Sequence, residues 1–250
     1  MVFHTFGNKE NKVMMLIHGM LTPWQIWEEA AAYFSKDYYV IVPELDAHTE
    51  DESTLFESVE KEAEQIAKYL TDNFGGNIHA LCGLSMGGRI AATVAAMPGI
   101  HADNLVMDGA PLKKMPGFMV GVMKKNYIRI IDHSKKREPK LIESFKKDFL
   151  PEKYLEPFFK IADNMQEQSI ENILVSVFQP FAFPKYDEKT GVLFMHGTKG
   201  NESLSKKSAQ LMKEANPQTE VRCFDGYMHA QLACFENEKW VKEVETWLNR

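Results

Sequence analysis

Gly83-Leu84-Ser85-Met86-Gly87-Gly88 constrains this chain more than any other stretch, because it places a serine between glycines where two different periodicities meet. Upstream, Asn77 to Cys82 is a short, mostly apolar run of strand length. Downstream, Arg89 to Ala96 is Ala-rich and helix-forming, and Pro98-Gly99 stops it. A strand that turns at once into a helix around G-x-S-x-G is the nucleophile-elbow pattern. So tight a turn strains the serine backbone, and only residues without Cβ let strand and helix pack that closely.

A serine hydroxyl is a weak nucleophile at neutral pH and needs a general base. The chain has eight histidines. His4 is near the terminus, His48 follows a strand-like run, His79 and His101 lie at or before strands, and His133 sits in a charged segment. His18 and His196 each precede a glycine at the end of an apolar run, a setting that shapes a turn. His229 remains: it follows the strand-like Thr219 to Phe224 and the turn Asp225 to Met228, and it precedes the last helix.

The order and setting of Ser85 and His229 resemble the α/β-hydrolase family, whose base lies in a loop after the last strand. The run Lys12 to Ile17 reads as a buried strand ending at His18-Gly19-Met20-Leu21-Thr22, similar to the HG loop of that family. A tetrahedral intermediate needs preorganised N–H donors. The resemblance implies that the backbone N–H groups of Met20 and Met86 form this oxyanion hole.

The chain departs from the family at the acid. After the strand Val192 to Met195 the family commonly has His-Gly-x-x-Asp, whereas here the run is His196-Gly197-Thr198-Lys199-Gly200-Asn201-Glu202. Glu202 lies two residues beyond the usual slot, and its longer side chain is suited to reach the same place. Asp108 is the alternative acid, since it ends the strand Asn104 to Met107 and some relatives carry their acid there. Asn201, Asp225 and the absence of any acid stay open as well. Glu202 also suits the first turn of a solvated helix.

With 250 residues, 44% of them hydrophobic, the chain can bury a large core in one α/β domain. No apolar run approaches the ~20 residues that span a bilayer. The N-terminus has neither a basic nor a hydrophobic signal region, which points to a cytoplasmic protein. Three cysteines without a C-x-x-C pair argue against a disulfide framework. No zinc spacing, phosphate loop or dinucleotide fingerprint follows a strand, and the net charge of −6 argues against nucleic acid. Neither cofactor nor metal is therefore expected.

Strands are predicted at 2–6, 12–17, 38–43, 77–82, 104–108, 192–196 and 219–224, and helices at 24–35, 53–73, 86–97, 203–215 and 234–249. This alternation predicts a mostly parallel central sheet flanked by helices. One strand precedes that of the HG loop, so the first edge strand of the fuller family fold is expected to be missing. Ser85, Met20, Asp108, Glu202 and His229 all fall just past strand C-termini, where open α/β sheets carry their chemistry.

Nearly eighty mainly helical residues interrupt the alternation, too many for a loop. The expected division is a core of 1–110 and 188–250, with 111–187 as a helical cap that the resemblance places over the active site. Residues 111–187 carry 14 Lys and Arg against 10 Asp and Glu, while the remainder carries 15 against 25. The Lys113-Lys114, Lys124-Lys125 and Lys135-Lys136-Arg137 runs suit either a solvated face or attraction of an anionic carrier such as a coenzyme A thioester. Eight of 16 Phe lie in this segment, mainly as glue between its helices. Phe118, Met119 and Met123 are the expected pocket residues.

The expected activity is hydrolysis of a carboxylic ester or thioester with an apolar acyl group, through an acyl-enzyme on Ser85. Two alternatives are carbon–carbon bond hydrolysis or perhydrolysis on the same fold, and a ligand-binding or sensing protein with little turnover.

Overall fold

In the central strands apolar residues run consecutively rather than alternating: Val13 to Ile17 are all buried, which requires cover on both faces of a sheet. The computed structural model, which describes residues 1–250, has seven strands in one sheet. They are β1 (Val2–Phe6), β2 (Lys12–Ile17), β3 (Tyr38–Glu44), β4 (Asn77–Leu84), β5 (His101–Asp108), β6 (Gly191–His196) and β7 (Thr219–Cys223). Their order is β1-β3-β2-β4-β5-β6-β7, with β1 antiparallel to β3 and every other pair parallel. Every predicted strand is present, and only β1 precedes β2.

Helices α1 (Glu28–Phe34), α2 (Val59–Phe74), α3 (Met86–Val94), α8 (Glu202–Ala215), α9 (Gln231–Phe235) and α10 (Asn237–Leu248) belong to this layered core. Helix α1 packs on α10, where the Trp27 and Trp240 rings meet at 4.5 Å, and α2 packs on α3. Two helices differ from expectation. Helix α2 starts at Val59 rather than 53, because Phe56 and Val59 donate their N–H groups to Ser169 Oγ (3.2 Å) and Ser176 Oγ (2.6 Å), partners far away in sequence. The predicted final helix is split at Glu236, whose φ of −124° and ψ of 47° lie outside the helical region.

Between β5 and β6 lie four helices: α4 (Gly117–Lys135), α5 (Pro139–Asp148), α6 (Leu155–Asn164) and α7 (Glu167–Phe178). Phe145, Phe149, Phe158 and Phe159 hold α5 and α6 together, with neighbouring ring centroids 4.9 to 6.2 Å apart. Arg89, buried in α3, ties both ends of this insertion to the core by donating to Pro111 O (3.1 Å) and Pro180 O (3.4 Å). Ser208 of α8 takes the Leu112 and Lys113 N–H groups at 3.0 and 3.2 Å. No helix is long and apolar enough to cross a membrane.

Candidate active site

Strand β4 delivers Ser85 to the C-terminal edge of the sheet, and α3 begins at the next residue. Ser85 has φ 51° and ψ −117°, a conformation that costs a non-glycine residue free energy. The turn is closed sterically: a Cβ on Gly83 would stand 2.2 Å from Gly87 O, and one on Gly87 would stand 2.4 Å from His18 O. Five non-glycine residues have positive φ, and four of them (Leu21, Ala47, Ser85 and Ala230) lie on the loops around this edge. Strain therefore gathers where the predicted site residues gather.

His229 Nε2 lies 2.8 Å from Ser85 Oγ, and His229 Nδ1 lies 2.5 Å from Glu202 Oε1. A carboxylate only accepts, so Nδ1 carries the proton and Nε2 accepts from the serine hydroxyl. Glu202, the first residue of α8, is buried. Its Oε2 accepts the Gly197 N–H at 2.7 Å, and Ser205 Oγ donates to Oε1 at 3.3 Å. Burial alone would raise its pKa, but the His229 hydrogen bond and charge, with the Gly197 and Ser205 donors, outweigh it and hold Glu202 below the usual carboxylate range. Beneath the ring lies Gly109 at φ +64°, where a Cβ would stand 2.7 Å from His229 Cε1.

Asp108 sits beside this set without a direct hydrogen bond to His229. It is buried, and its Oδ2 has no hydrogen-bond partner; nor does Nε1 of Trp240, the indole that faces it. Burial, reinforced by the Glu202 charge, pushes Asp108 up to about 7. Between its ordinary value of 3.8 and about 7 the folded chain thus binds a proton that the unfolded chain has released, so stability falls as pH rises through that window. Asp108→Asn is expected to gain on the order of 1–3 kcal/mol over wild type at pH 8 and nothing at pH 4. Thermal unfolding at the two pH values checks this, and equal differences at both would contradict it.

A cavity of about 380 Å³ opens on Ser85 and His229. Met119 and Met123 line it from α4, joined by Met115, Tyr127, Phe149 and Phe178, residues of the same insertion that sequence reasoning did not single out as pocket. Phe118 does not line it and is 76% exposed. The expectation for Phe118 is corrected by helix geometry: Met119 and Met123, four residues apart, share the inner face, and a step of ~100° turns Phe118 outward. No Lys, Arg, Asp or Glu lines the cavity, so the lysine runs of 111–187 lie outside it.

Strand order, the serine elbow after β4 and the histidine after β7 define the alpha/beta hydrolase fold. Residues 12–129 match the family model described as alpha/beta hydrolase fold. No curated protein matches the chain. Among solved structures it is similar to an alpha/beta hydrolase family protein from Desulfitobacterium hafniense at 19% identity, with 99% of this chain and 100% of that chain covered and a TM-score of 0.79. A bromoperoxidase from Bacillus anthracis is also 19% identical, with 99% and 95% covered and a TM-score of 0.76. An esterase from Exiguobacterium antarcticum is 17% identical, with 99% and 95% covered and a TM-score of 0.74. At these identities the likeness speaks for the fold.

Proposed function

We propose that this protein is a serine hydrolase that cleaves a carboxylic ester or thioester with a neutral, apolar acyl group. The observation that carries the reading is the run of contacts from Glu202 through His229 to Ser85, ending in a cavity whose lining holds no Lys, Arg, Asp or Glu. In the proposed reaction Ser85 Oγ bonds to the acyl carbon while its proton passes to His229 Nε2. The Met20 and Met86 N–H groups hold the oxyanion. Collapse breaks the bond to the alcohol or thiol, which leaves with the proton from Nε2. Water, deprotonated by the same nitrogen, then releases the acid and restores Ser85. The helical insertion acts as a cap that supplies the acyl-binding wall.

An apolar wall recognises its ligand through buried area, not through charge, so an ester with a carboxylate on its acyl chain would lose hydration without gaining a partner. This favours uncharged acyl groups over an anionic substrate held by the cap lysines. A fluorophosphonate probe, which needs an activated serine and no knowledge of substrate, is expected to form one adduct, on Ser85, identified by peptide mass. With p-nitrophenyl esters, turnover is expected to peak at short to medium acyl chains, and Met119→Ala to move the optimum to longer ones while Phe118→Ala leaves it in place. Labelling at another residue, or none on folded protein, would remove the enzymatic reading; identical chain-length profiles in all three proteins would remove Met119 from the pocket.

A further inference from the structure

From Gly19 to Thr22 every backbone N–H is engaged but one. Gly19 N–H donates to Thr22 Oγ1 at 2.9 Å, Leu21 N–H to His48 Nε2 at 3.0 Å, and Thr22 N–H to Gly19 O at 3.3 Å. Met20 N–H donates to no protein acceptor, and Gly19 and Met20 line the cavity beside Ser85. A free donor at this spot is what a developing oxyanion requires, and its aim is set by the residues on either side.

Leu21 has φ +59°, a conformation that a leucine keeps only where its surroundings hold it. His48 supplies that hold. Its ring is fully buried, and its Nδ1 lies 3.0 Å from Asp46 O, an acceptor, so the proton sits on Nδ1 and Nε2 is left to accept. Burial lowers its pKa to about 4 and so keeps the imidazole neutral near pH 7. His18 does the converse. Its Nδ1 lies 2.9 Å from Gly19 O, its Nε2 accepts the Leu45 N–H at 3.2 Å, and the two rings lie 5.1 Å apart. The loop after β2 and the loop after β3 each carry a histidine that takes a backbone N–H of the other.

We infer that His48, outside the Ser85, His229 and Glu202 set, is a positioning residue for the oxyanion hole: by taking the Leu21 N–H it turns the adjacent Met20 N–H toward the carbonyl that Ser85 attacks. This rests on the hydrolase reading above. Losing that hold misdirects the donor without removing it. Because the hole acts chiefly on the charge that develops in the transition state, the loss falls on kcat, at roughly 10- to 100-fold, and not on KM.

The test compares full-length wild type, H48L and H48Q on p-nitrophenyl butyrate, with thermal unfolding to verify the fold. H48L is expected to lose roughly 10- to 100-fold in kcat with KM within about twofold. H48Q, whose amide oxygen reaches the position of Nε2, is expected to recover most of the loss. Where H48L does not fold, H48N replaces it, because its side chain is too short to reach the Leu21 N–H. Amide hydrogen exchange supplies a readout independent of turnover: Leu21 should stay protected in wild type and H48Q and exchange faster in H48L or H48N. An unchanged kcat in H48L, an equal loss in H48Q, or Leu21 exchange indifferent to residue 48 would overturn the inference. A wild type that hydrolyses no ester and takes no probe would count against the hydrolase reading instead, and the Leu21 exchange would still decide whether His48 holds the loop.

Discussion

Ser85→Ala is expected to abolish fluorophosphonate labelling and to lower ester turnover by about 10⁶-fold, the cost of removing the serine from a comparable protease triad. The loss is so large because the variant retains the oxyanion donors and the cavity but has no atom to form the acyl-enzyme. Folding should survive. The alanine keeps the strained φ of 51°, loses only the hydroxyl contact to His229, and leaves the glycines that permit the turn. Binding of a non-hydrolysable ketone analogue that forms no serine adduct should change little, since the apolar wall is untouched. Rates of acyl release followed by stopped assay, with titration of the analogue on the same preparation, check both halves. Appreciable turnover in the variant, with no labelling change, would mean that chemistry occurs at another residue.

The central strands were legible because they are buried on both faces and carry unbroken apolar runs such as Val13 to Ile17 and Val192 to Met195. Ser85 was legible for a local reason: strand, glycine turn and helix are contiguous in sequence. Glu202 and His229 were legible as candidates only, because which carboxylate meets the ring depends on how the loops after β5, β6 and β7 converge. The structure brings Glu202, not Asp108, Asn201 or Asp225, against Nδ1. Phe118 was misread because its place near a strand end is a statement about sequence distance, whereas its exposure follows from one step of helical rotation. The late start of α2 depends on Ser169 and Ser176, more than a hundred residues away, which no local propensity encodes. His48 was passed over for the same kind of reason: its part is visible only once its ring is seen to accept the Leu21 N–H.

Glu202→Gln is expected to lower kcat by on the order of 10⁴-fold, as loss of the orienting charge does in the serine-protease template, while Asp108→Asn stays within about tenfold of wild type. The two carboxylates differ in what they touch. Glu202 holds the Nδ1 proton, and its ionised form is secured by the Gly197 N–H and the Ser205 hydroxyl, so it stabilises the imidazolium that forms as Ser85 attacks. A glutamine keeps the shape but not the charge, and its amide can turn an N–H toward Nδ1 and favour the wrong tautomer. Asp108 makes no hydrogen bond to His229, and burial, which pushes it up to about 7, leaves about half of it neutral at pH 7. The pH dependence separates them further. The folded-state pKa of Glu202 is lowered, so the stability it contributes is present above its ordinary value of 4.5 and is lost as pH falls through the folded value. Glu202→Gln should therefore cost stability at pH 7 and converge with wild type in acid, the reverse of the trend expected for Asp108→Asn. Steady-state kinetics at pH 8 with thermal unfolding from pH 4 to pH 8 reads both effects. A crippled Asp108→Asn beside a nearly normal Glu202→Gln would transfer the orienting role to the carboxylate after β5. Near-normal turnover in both would leave Ser85 and His229 acting as a dyad, with Glu202 reduced to holding the Gly197 turn.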